Sequence, residues 1–480
     1  MVSRFTIPRI VTAALRGGAG KTLITVGLIG ALRRRGWSVG AFKKGPDYID
    51  TGWLGLAARG QCYNLDSYLF SPETLLSSFI SRSTGKDISV VEGNRGLFDG
   101  VDSGGSYSTA ALANFLAAPA VLIVDCTKMT RTAAALVLGC RVLDKDLDLR
   151  GVILNRVAGA RHESVLRRSI EAATALPVVG SVHKLALRSL PQRHLGLLPF
   201  QEHPAALEFV EQAADVIERS VDIDSAISIA RNAREMEWGF HRIGTWTRRN
   251  IRNIRVRIGI VRDSAFQFYY PENLEALEAQ GAELIEISAL EFSRLPEVDA
   301  LYIGGGFPET HAERLARNGA LRRSVREAVN SGLPVYAECG GFMYLCRSLI
   351  IDDHAYPMAG VFPVDTVLRR EPQGLGYVKV EVTGNNPFFP VGTVINGHEF
   401  HYSSIVGTEA SRPRFVLRVL RGHGMDGRFD GMCTHNALGA YLHVHALGAP
   451  QWACCLVEKA FEFRSSRTRR MVEPLQAEHY

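Results

Sequence analysis

A glycine-rich run, Arg16-Gly17-Gly18-Ala19-Gly20-Lys21-Thr22, lies between an apolar stretch, Pro8 to Ala14, and an amphipathic stretch, Thr22 to Arg35, that stops before Gly36. Read as strand, turn and helix, it constrains the whole N-terminal half of the chain. Glycines let the backbone curl so that successive N–H groups face an anion, and the helix start adds a favourable dipole. In that reading Gly17, Gly18 and Gly20 form the loop. Lys21 bridges the β- and γ-phosphates of ATP, and the Thr22 hydroxyl holds Mg2+. The plainer alternative is a glycine-rich turn with no ligand. The spacing also departs from the usual loop. Leu15 stands where the first Gly is expected, and Ala14 stands where loops with one extra residue carry it.

The apolar runs Val39–Lys43, Ile88–Glu92, Ala120–Asp125 and Gly151–Asn155 each end in a polar residue. Short β-branched runs separated by helical segments predict a parallel, helix-covered sheet. Ligands bind such sheets beyond the carboxyl ends of the strands. Asp47, Glu92 and Asp99 follow or end those strands, and Mg2+ prefers hard oxygen ligands. The candidate metal ligands are therefore Thr22, Asp47 and Glu92. Asn155 is a candidate reader of the adenine edge. Residues 203–235 read as helix and 236–254 as a linker without a clean period. At Val256 a second alternation begins, with strands at Val256–Val261, Glu283–Ile287, Ala300–Ile303 and Pro334–Ala337. Helices are expected at Pro271–Gln280 and Ala312–Ser331, and a β-rich stretch at Val378–Val406.

In this second unit Ala337-Glu338-Cys339-Gly340-Gly341 reads as strand, sharp turn and helix. A thiol at such a turn is exposed, and the helix start favours its thiolate. The loop Gly304-Gly305-Gly306-Phe307-Pro308 follows another strand. Gly305, Gly306 and Gly340 are candidate oxyanion donors. Tyr441-Leu442-His443-Val444-His445 supplies imidazoles, with both histidines on one strand face. Metal binding by His398, His401, His443 and His445 is a competing reading, although a soft-metal site would recruit a nearby Cys.

At 480 residues the chain is long enough for roughly two to four domains. With 46% hydrophobic and 22% charged residues it is globular in composition. No apolar run reaches the length of a membrane span, and Met1 to Arg9 lacks the core of a secretion signal. The eight cysteines form no CxxC pair. These features predict a reduced, cytoplasmic protein. The net charge of +6 gathers in Arg248–Arg257 and Arg464–Arg470, read as a solvated linker and a basic tail. Aromatics are not interleaved with these charges, which argues against nucleic acid.

Taken together, Lys43 to Asp50 (Gly-Pro-Asp-Tyr-Ile-Asp), Gly96 to Gly100, Ala265 to Glu275 (AFQFYYPENLE), Gly304 to Glu309, Ala337 to Gly341, Gly397 to Ser403 and Tyr441 to His445 resemble the cobyrinate a,c-diamide synthase family. The resemblance spans nearly the whole chain. It implies an α/β protein with a P-loop synthetase domain over 1–235 and a class I glutamine amidotransferase domain over 255–463, followed by a basic tail over 464–480. Cys339 would form a glutamyl thioester with His443 as its base. Lys21, Thr22, Asp47, Glu92 and Asp99 would bind ATP and Mg2+ and orient a carboxylate, and Lys43 would neutralise charge. The partners implied are glutamine, a tetrapyrrole polycarboxylate and a second copy of the chain. Ordinary class I domains carry a Glu two residues after the catalytic His; here it is His445, as this family's lack of that acid implies. Asn94-Arg95, Arg16-Gly17-Gly18 and Asn396 depart from the usual pattern. They leave open sirohydrochlorin, nickel-sirohydrochlorin or sirohaem as substrate. A non-catalytic P-loop regulatory ATPase is the rival of another class.

Overall fold

The computed structural model describes residues 2–184, 192–193, 196–239, 255–407 and 413–477. Contacts divide the chain into two compact units. The first comprises Met1–Ser67 and Ser71–Ile243; the second comprises Tyr68–Phe70 and Gly244–Tyr480.

The first unit is built on seven strands: β1 Arg9–Ala14, β2 Val39–Lys44, β3 Cys62–Leu65, β4 Ile88–Glu92, β5 Ala120–Asp125, β6 Leu149–Val157 and β7 Val178–His183. Their order across the sheet is β3-β2-β4-β1-β5-β6-β7, and every pairing is parallel. Strands buried on both faces read as continuous apolar runs, and β1, β4 and β5 are buried at every position. With β1 central, the glycine loop leaves the middle of the sheet between the ends of β4 and β5.

Helix α1, Lys21–Arg34, begins in that loop. Its glycines let another helix, α2 Ala206–Ser220, come close. A Cβ at Gly27 would lie 2.6 Å from the backbone oxygen of Ala213 and 2.4 Å from Ile217 Cγ1. On the same contact Arg34 bonds Glu211, Asp215 and Glu218 of α2. The single helix expected over 203–235 is broken. Asp222 ends it and caps the next helix, Ile223–Arg231, by accepting from the Ser225 amide.

The second unit has nine strands in one mixed sheet: β8 Val256–Val261, β10 Ala282–Ile287, β11 Ala300–Ile303, β13 Val335–Glu338, β14 Gly374–Val382, β15 Val394–His401, β16 Phe415–Arg421, β17 Phe429–Thr434 and β18 Ala437–Ala440. The order is β10-β8-β11-β13-β18-β17-β16-β14-β15. The β10 to β18 half is parallel, and the remainder is antiparallel. A separate hairpin-like pair joins β9, Phe266–Phe268, to β12, Gly305–Gly306. Helix α3, Pro271–Ala279, follows β9, and a short helix α4, Gly340–Leu345, follows β13. The helix expected over 312–331 also divides, at Asn318, which caps Gly319–Asn330.

Two expectations about the connecting segments need correction. Met236–Gly239 is not linker but a strand paired antiparallel with Val2–Phe5; residues 240–254 lie outside the described residues. The basic tail expected from 464 continues helix α5, Gln451–Ala477. The reason is electrostatic. Asp299 is 1% exposed, and Arg464 and Arg467 turn onto it at 3.5 and 3.4 Å.

Gly27 and Gly139 make a paired test. Both sit inside helices, where Ala is intrinsically favoured. Gly139→Ala, facing open space, is expected to stabilise by about 0.5–1 kcal/mol. Gly27→Ala meets backbone and is expected to destabilise by about 1–3 kcal/mol. Urea unfolding midpoints of the two variants check the opposite signs.

Candidate functional site

The first centre lies at the carboxyl ends of β1, β2 and β4. Gly18 and Gly20 adopt φ values of 70° and 90°, the left-handed region that glycine enters without strain. The space beside Gly17 and Gly18 is open. Asn155, read from the sequence as facing adenine, does something else. Its Nδ2 donates to Ala19 O at 2.8 Å, and its Oδ1 accepts from the Arg156 amide. A Cβ at Gly20 would sit 2.4 Å from that Nδ2. One N–H of the amide thus braces the loop and its oxygen holds the Arg156 amide, while the second N–H and second lone pair of the group are not used by these contacts.

Lys21 is buried and donates to Arg95 O at 2.6 Å. Burial and the nearby Lys43 charge lower its pKa, against the opposing pull of Glu92, Asp50 and Asp99. The Thr22 hydroxyl donates to Glu92 Oε1 at 3.0 Å. Lys43 is buried and shared between Asp50 Oδ2 and Glu92 Oε1, both at 2.6 Å, with Gly93 O at 3.2 Å. Burial disfavours its charge, but Asp50, Glu92 and Asp47 together outweigh that and hold its pKa well above the usual lysine value. Lys43 is thus committed to carboxylates rather than free to meet a phosphate. Asp47 accepts from the Asp50 amide, and burial followed by the Asp50 charge pushes its pKa up. Asp99 is exposed and holds its own loop by accepting from the Gly96 amide. The structure therefore gathers Lys21, Thr22, Lys43, Asp47 and Glu92, and adds Asp50 and Asp125. Asp125 ends β5 and pairs with Arg16 of the loop at 2.8 Å and with Arg156 at 2.7 Å.

The Asn94-Arg95 departure acquires a local role here. Arg95 has φ 49°, which turns its carbonyl onto Lys21. The Asn94 side chain accepts from the Arg95 amide.

The second centre is in the other unit. Cys339 sits between β13 and α4 at φ 46°, ψ −103°, a backbone conformation uncommon for a residue with a Cβ. Its amide donates to Ala440 O at 2.7 Å. Such a turn carries the side chain off the sheet edge. The Cys339 thiol does not have the lowered pKa expected from a helix start. Burial, then the charge of Glu309, pushes it up, and the Gly340 amide only partly opposes them. Helix α4 is one turn and a half, too short to offset the loss of water.

Gly305, Gly306 and Gly340 come together. A Cβ at Gly340 would lie 3.1 Å from Gly306 N, and one at Gly305 would lie 2.6 Å from His443 Cε1. The loop is pinned by Tyr269, whose hydroxyl accepts from the Gly304 amide at 2.8 Å and donates to Val261 O. His443 is buried and stacks on His398, ring centroids 4.8 Å apart at 16°. Burial, then the charges of His443 and His445, drives the His398 pKa well down. His401 instead stacks on Tyr441 at 3.7 Å. His398 and His443 thus face each other while His401 faces Tyr441, and no group of three or more His, Cys, Asp or Glu arranged to hold a metal occurs among the described residues.

Known proteins match both units. Residues 10–197 match the CobQ/CobB/MinD/ParA nucleotide binding domain family, and residues 257–451 match the CobB/CobQ-like glutamine amidotransferase domain family. The cobyrinate a,c-diamide synthase of Magnetococcus marinus is 42% identical over 94% of this chain and 96% of its own length. Those of Archaeoglobus fulgidus and Methanothermobacter thermautotrophicus are 39% and 38% identical, each over 95% of this chain and 98% and 100% of their own lengths. The chain belongs to the cobyrinate a,c-diamide synthase family. As a member of that family it is a glutamine-dependent, amide-forming ligase with a nucleotide-binding domain, which overturns the reading as a non-catalytic regulatory ATPase.

In this family member the stretch Ala265 to Glu275, which the sequence marks without giving its residues a role, holds the histidine segment after β18. Tyr270, Glu272 and Asn273 follow β9 in the motif Phe268-Tyr269-Tyr270-Pro271-Glu272-Asn273. Asn273 donates to Val444 O at 3.0 Å and accepts from the Ala446 amide at 2.7 Å. Tyr270 OH lies 3.3 Å from His398 Nδ1. Glu272 faces His445 Nε2 at 3.5 Å. The signal available in sequence was a run of polar residues inside an aromatic stretch with no surface pattern to explain them.

Gly305 gives the sharpest test of this geometry. Gly305→Ala is expected to displace the His443 ring and lower glutamine-supported synthesis by about 100-fold. Synthesis supported by ammonium salts is expected to persist. Parallel rate measurements with the two nitrogen sources decide it.

Proposed function

We propose that this protein amidates the a and c side-chain carboxylates of cobyrinate, using glutamine as nitrogen donor and ATP to activate each acid. The observation that carries the reading is the joint one. Relatives named for this activity match about 95% of the chain, and both a phosphate loop and a strained Cys339 turn stand on it. The Asn94-Arg95 departure lies beside Lys21, which the Arg95 carbonyl meets, and the names of the relatives favour cobyrinate over the other tetrapyrroles.

A carboxylate is a poor electrophile because oxide is a poor leaving group. Transfer of the γ-phosphoryl of ATP makes an acyl phosphate, whose leaving group is phosphate. Gly17, Gly18, Gly20 and Lys21 bind the nucleotide phosphates. Glu92 Oε2 is buried and makes no hydrogen bond in the described structure, and the hydroxyl of Thr22 stands beside Glu92 Oε1. That pair, with Asp47, fits a Mg2+ site completed by phosphate and water oxygens. Mg2+ there would neutralise phosphate charge. Lys43 holds Asp50 and Glu92 at 2.6 Å each and aims them at the site.

In the second unit His443 removes the proton of Cys339 Sγ. The thiolate attacks the side-chain amide carbon of glutamine, and the oxyanion meets the loop amides at Gly305, Gly306 and Gly340. The C–N bond breaks as His443 returns its proton to the departing nitrogen, which leaves as ammonia. Water then hydrolyses the thioester to glutamate. Ammonia displaces phosphate from the acyl phosphate and forms the amide.

Mass spectrometry of cobyrinate incubated with protein, ATP, Mg2+ and glutamine is expected to show one and then two exchanges of hydroxyl for amide. Sirohydrochlorin under the same conditions is expected to stay unchanged; amidation of it alone would replace the substrate assignment. Cys339→Ala is expected to lose glutamine-supported amidation while ammonium still supports it. Lys43→Met is expected to lower the ATP-dependent step at least about 100-fold while glutamine hydrolysis persists. Loss of both activities together in either variant would count against two separable centres.

A further inference from the structure

The third member of a cysteine–histidine–acid triad normally stands two residues after the base. Position 445 is His, fully buried, and its Nε2 is directed at Glu272 while its Nδ1 accepts from the Leu447 amide. No acid is available there. Yet His443 does not lack a carboxylate. Glu338, the last residue of β13 and the immediate neighbour of Cys339, places Oε2 3.6 Å from His443 Nδ1, with both side chains buried.

The carboxylate is held from several sides. Tyr302 OH donates to Oε2 at 3.0 Å and Tyr336 OH donates to Oε1 at 3.3 Å. The Val444 amide donates to Oε1 at 3.0 Å, which ties the carboxylate to the segment after β18 that carries the base. Burial, then the charge of Glu338, raises both phenol pKa values far above normal, so both remain donors. The opposite edge of the imidazole, at Cε1 and Nε2, lies over Gly305, the loop that turns towards Gly340. His398 stacks on the ring face.

We propose that Glu338 is the positioning acid of the glutaminase: it fixes the His443 proton on Nδ1, leaves Nε2 as the lone pair facing the thiol, and compensates the imidazolium formed when Cys339 is deprotonated. The acid is supplied from the strand that leads into the nucleophile instead of from the segment that carries the base. This rests on the reading of Cys339 and His443 as nucleophile and base. A carboxylate that orients an imidazole in this way acts through tautomer and charge, without accepting the proton itself.

The test is steady-state glutaminase kinetics against pH on Glu338→Gln, Glu338→Asp and His443→Asn, with circular dichroism and thermal melts to establish folding. The titratable groups placed against His443 are Glu338 and His398, with Tyr270 and His445 behind them, and Cys339 is the group it is read to deprotonate. For Glu338→Gln the expected result is a kcat lower by about 100-fold with KM within about twofold. The acidic limb of the kcat profile is expected at lower pH, because the imidazolium has lost its countercharge. Glu338→Asp keeps the charge, so its acidic limb is expected to stay near the wild-type position while kcat falls less. A folded Glu338→Gln with wild-type kcat and an unmoved limb overturns the proposal. If Glu338→Gln does not fold, Glu338→Asp decides: wild-type kcat, or a limb displaced to lower pH, overturns the proposal, and a lowered kcat with an unmoved limb supports it. If His443→Asn retains glutaminase activity, the nucleophile–base reading itself fails and this inference falls with it. Inactive His443→Asn beside fully active Glu338→Gln removes only the role of Glu338.

Discussion

Lys43 holds two carboxylates, Glu92 and Asp50, at the end of a sheet from which water is largely shut out. Each acid alone would be costly to bury ionised, and so would the ammonium. Together they stand 2.6 Å from one nitrogen, and the second Glu92 oxygen is buried without a hydrogen bond among the described residues. The loop around Lys21 is built against this cluster. Lys21 feels the positive charge of Lys43 and the negative charges of its partners at once. The phosphate loop is therefore half of a site whose other half is an ion cluster, and removing one charge leaves the remaining ones buried without balance.

The second unit solves a related problem with carboxylates at a different place. Glu338 accepts from two phenols and one amide, and Asp430 accepts from the amides of Gly431, Tyr441 and Leu442. These buried acids collect backbone donors from the segment that leads into His443. The sheet ends where these donors are used up, and the short turn at Cys339 begins there. Close approach of glycine loops completes the site, since Gly340 and Gly341 would each collide with the Gly304–Gly306 segment if they carried a Cβ.

The strand ends were legible because parallel strands buried on both faces leave a strong apolar signal that stops at a polar residue. Ile88–Glu92, Ala120–Asp125, Val256–Val261 and Ala300–Ile303 fall where that signal places them. The loops with their Gly, Lys, Thr and Cys residues were legible because their chemistry is local. Helix breaks at Asp222 and Asn318 were missed, although each carries its own capping residue; a long apolar period outweighed one polar position. Glu338, Tyr302 and Asp50 were not selected because their roles exist only through partners distant in sequence. The thiol of Cys339, expected to be exposed, is buried for the same reason. A side chain at a strand end looks available until the loop that it braces, or the burial around it, is known.

The buried thiol of Cys339 has a consequence for how this enzyme ages. Peroxides and other oxidants attack thiolates far faster than thiols. Burial pushes the pKa of the Cys339 thiol up, which disfavours the form that oxidants attack. The strained turn thus presents a sulfur that is poised in geometry and dormant in redox chemistry.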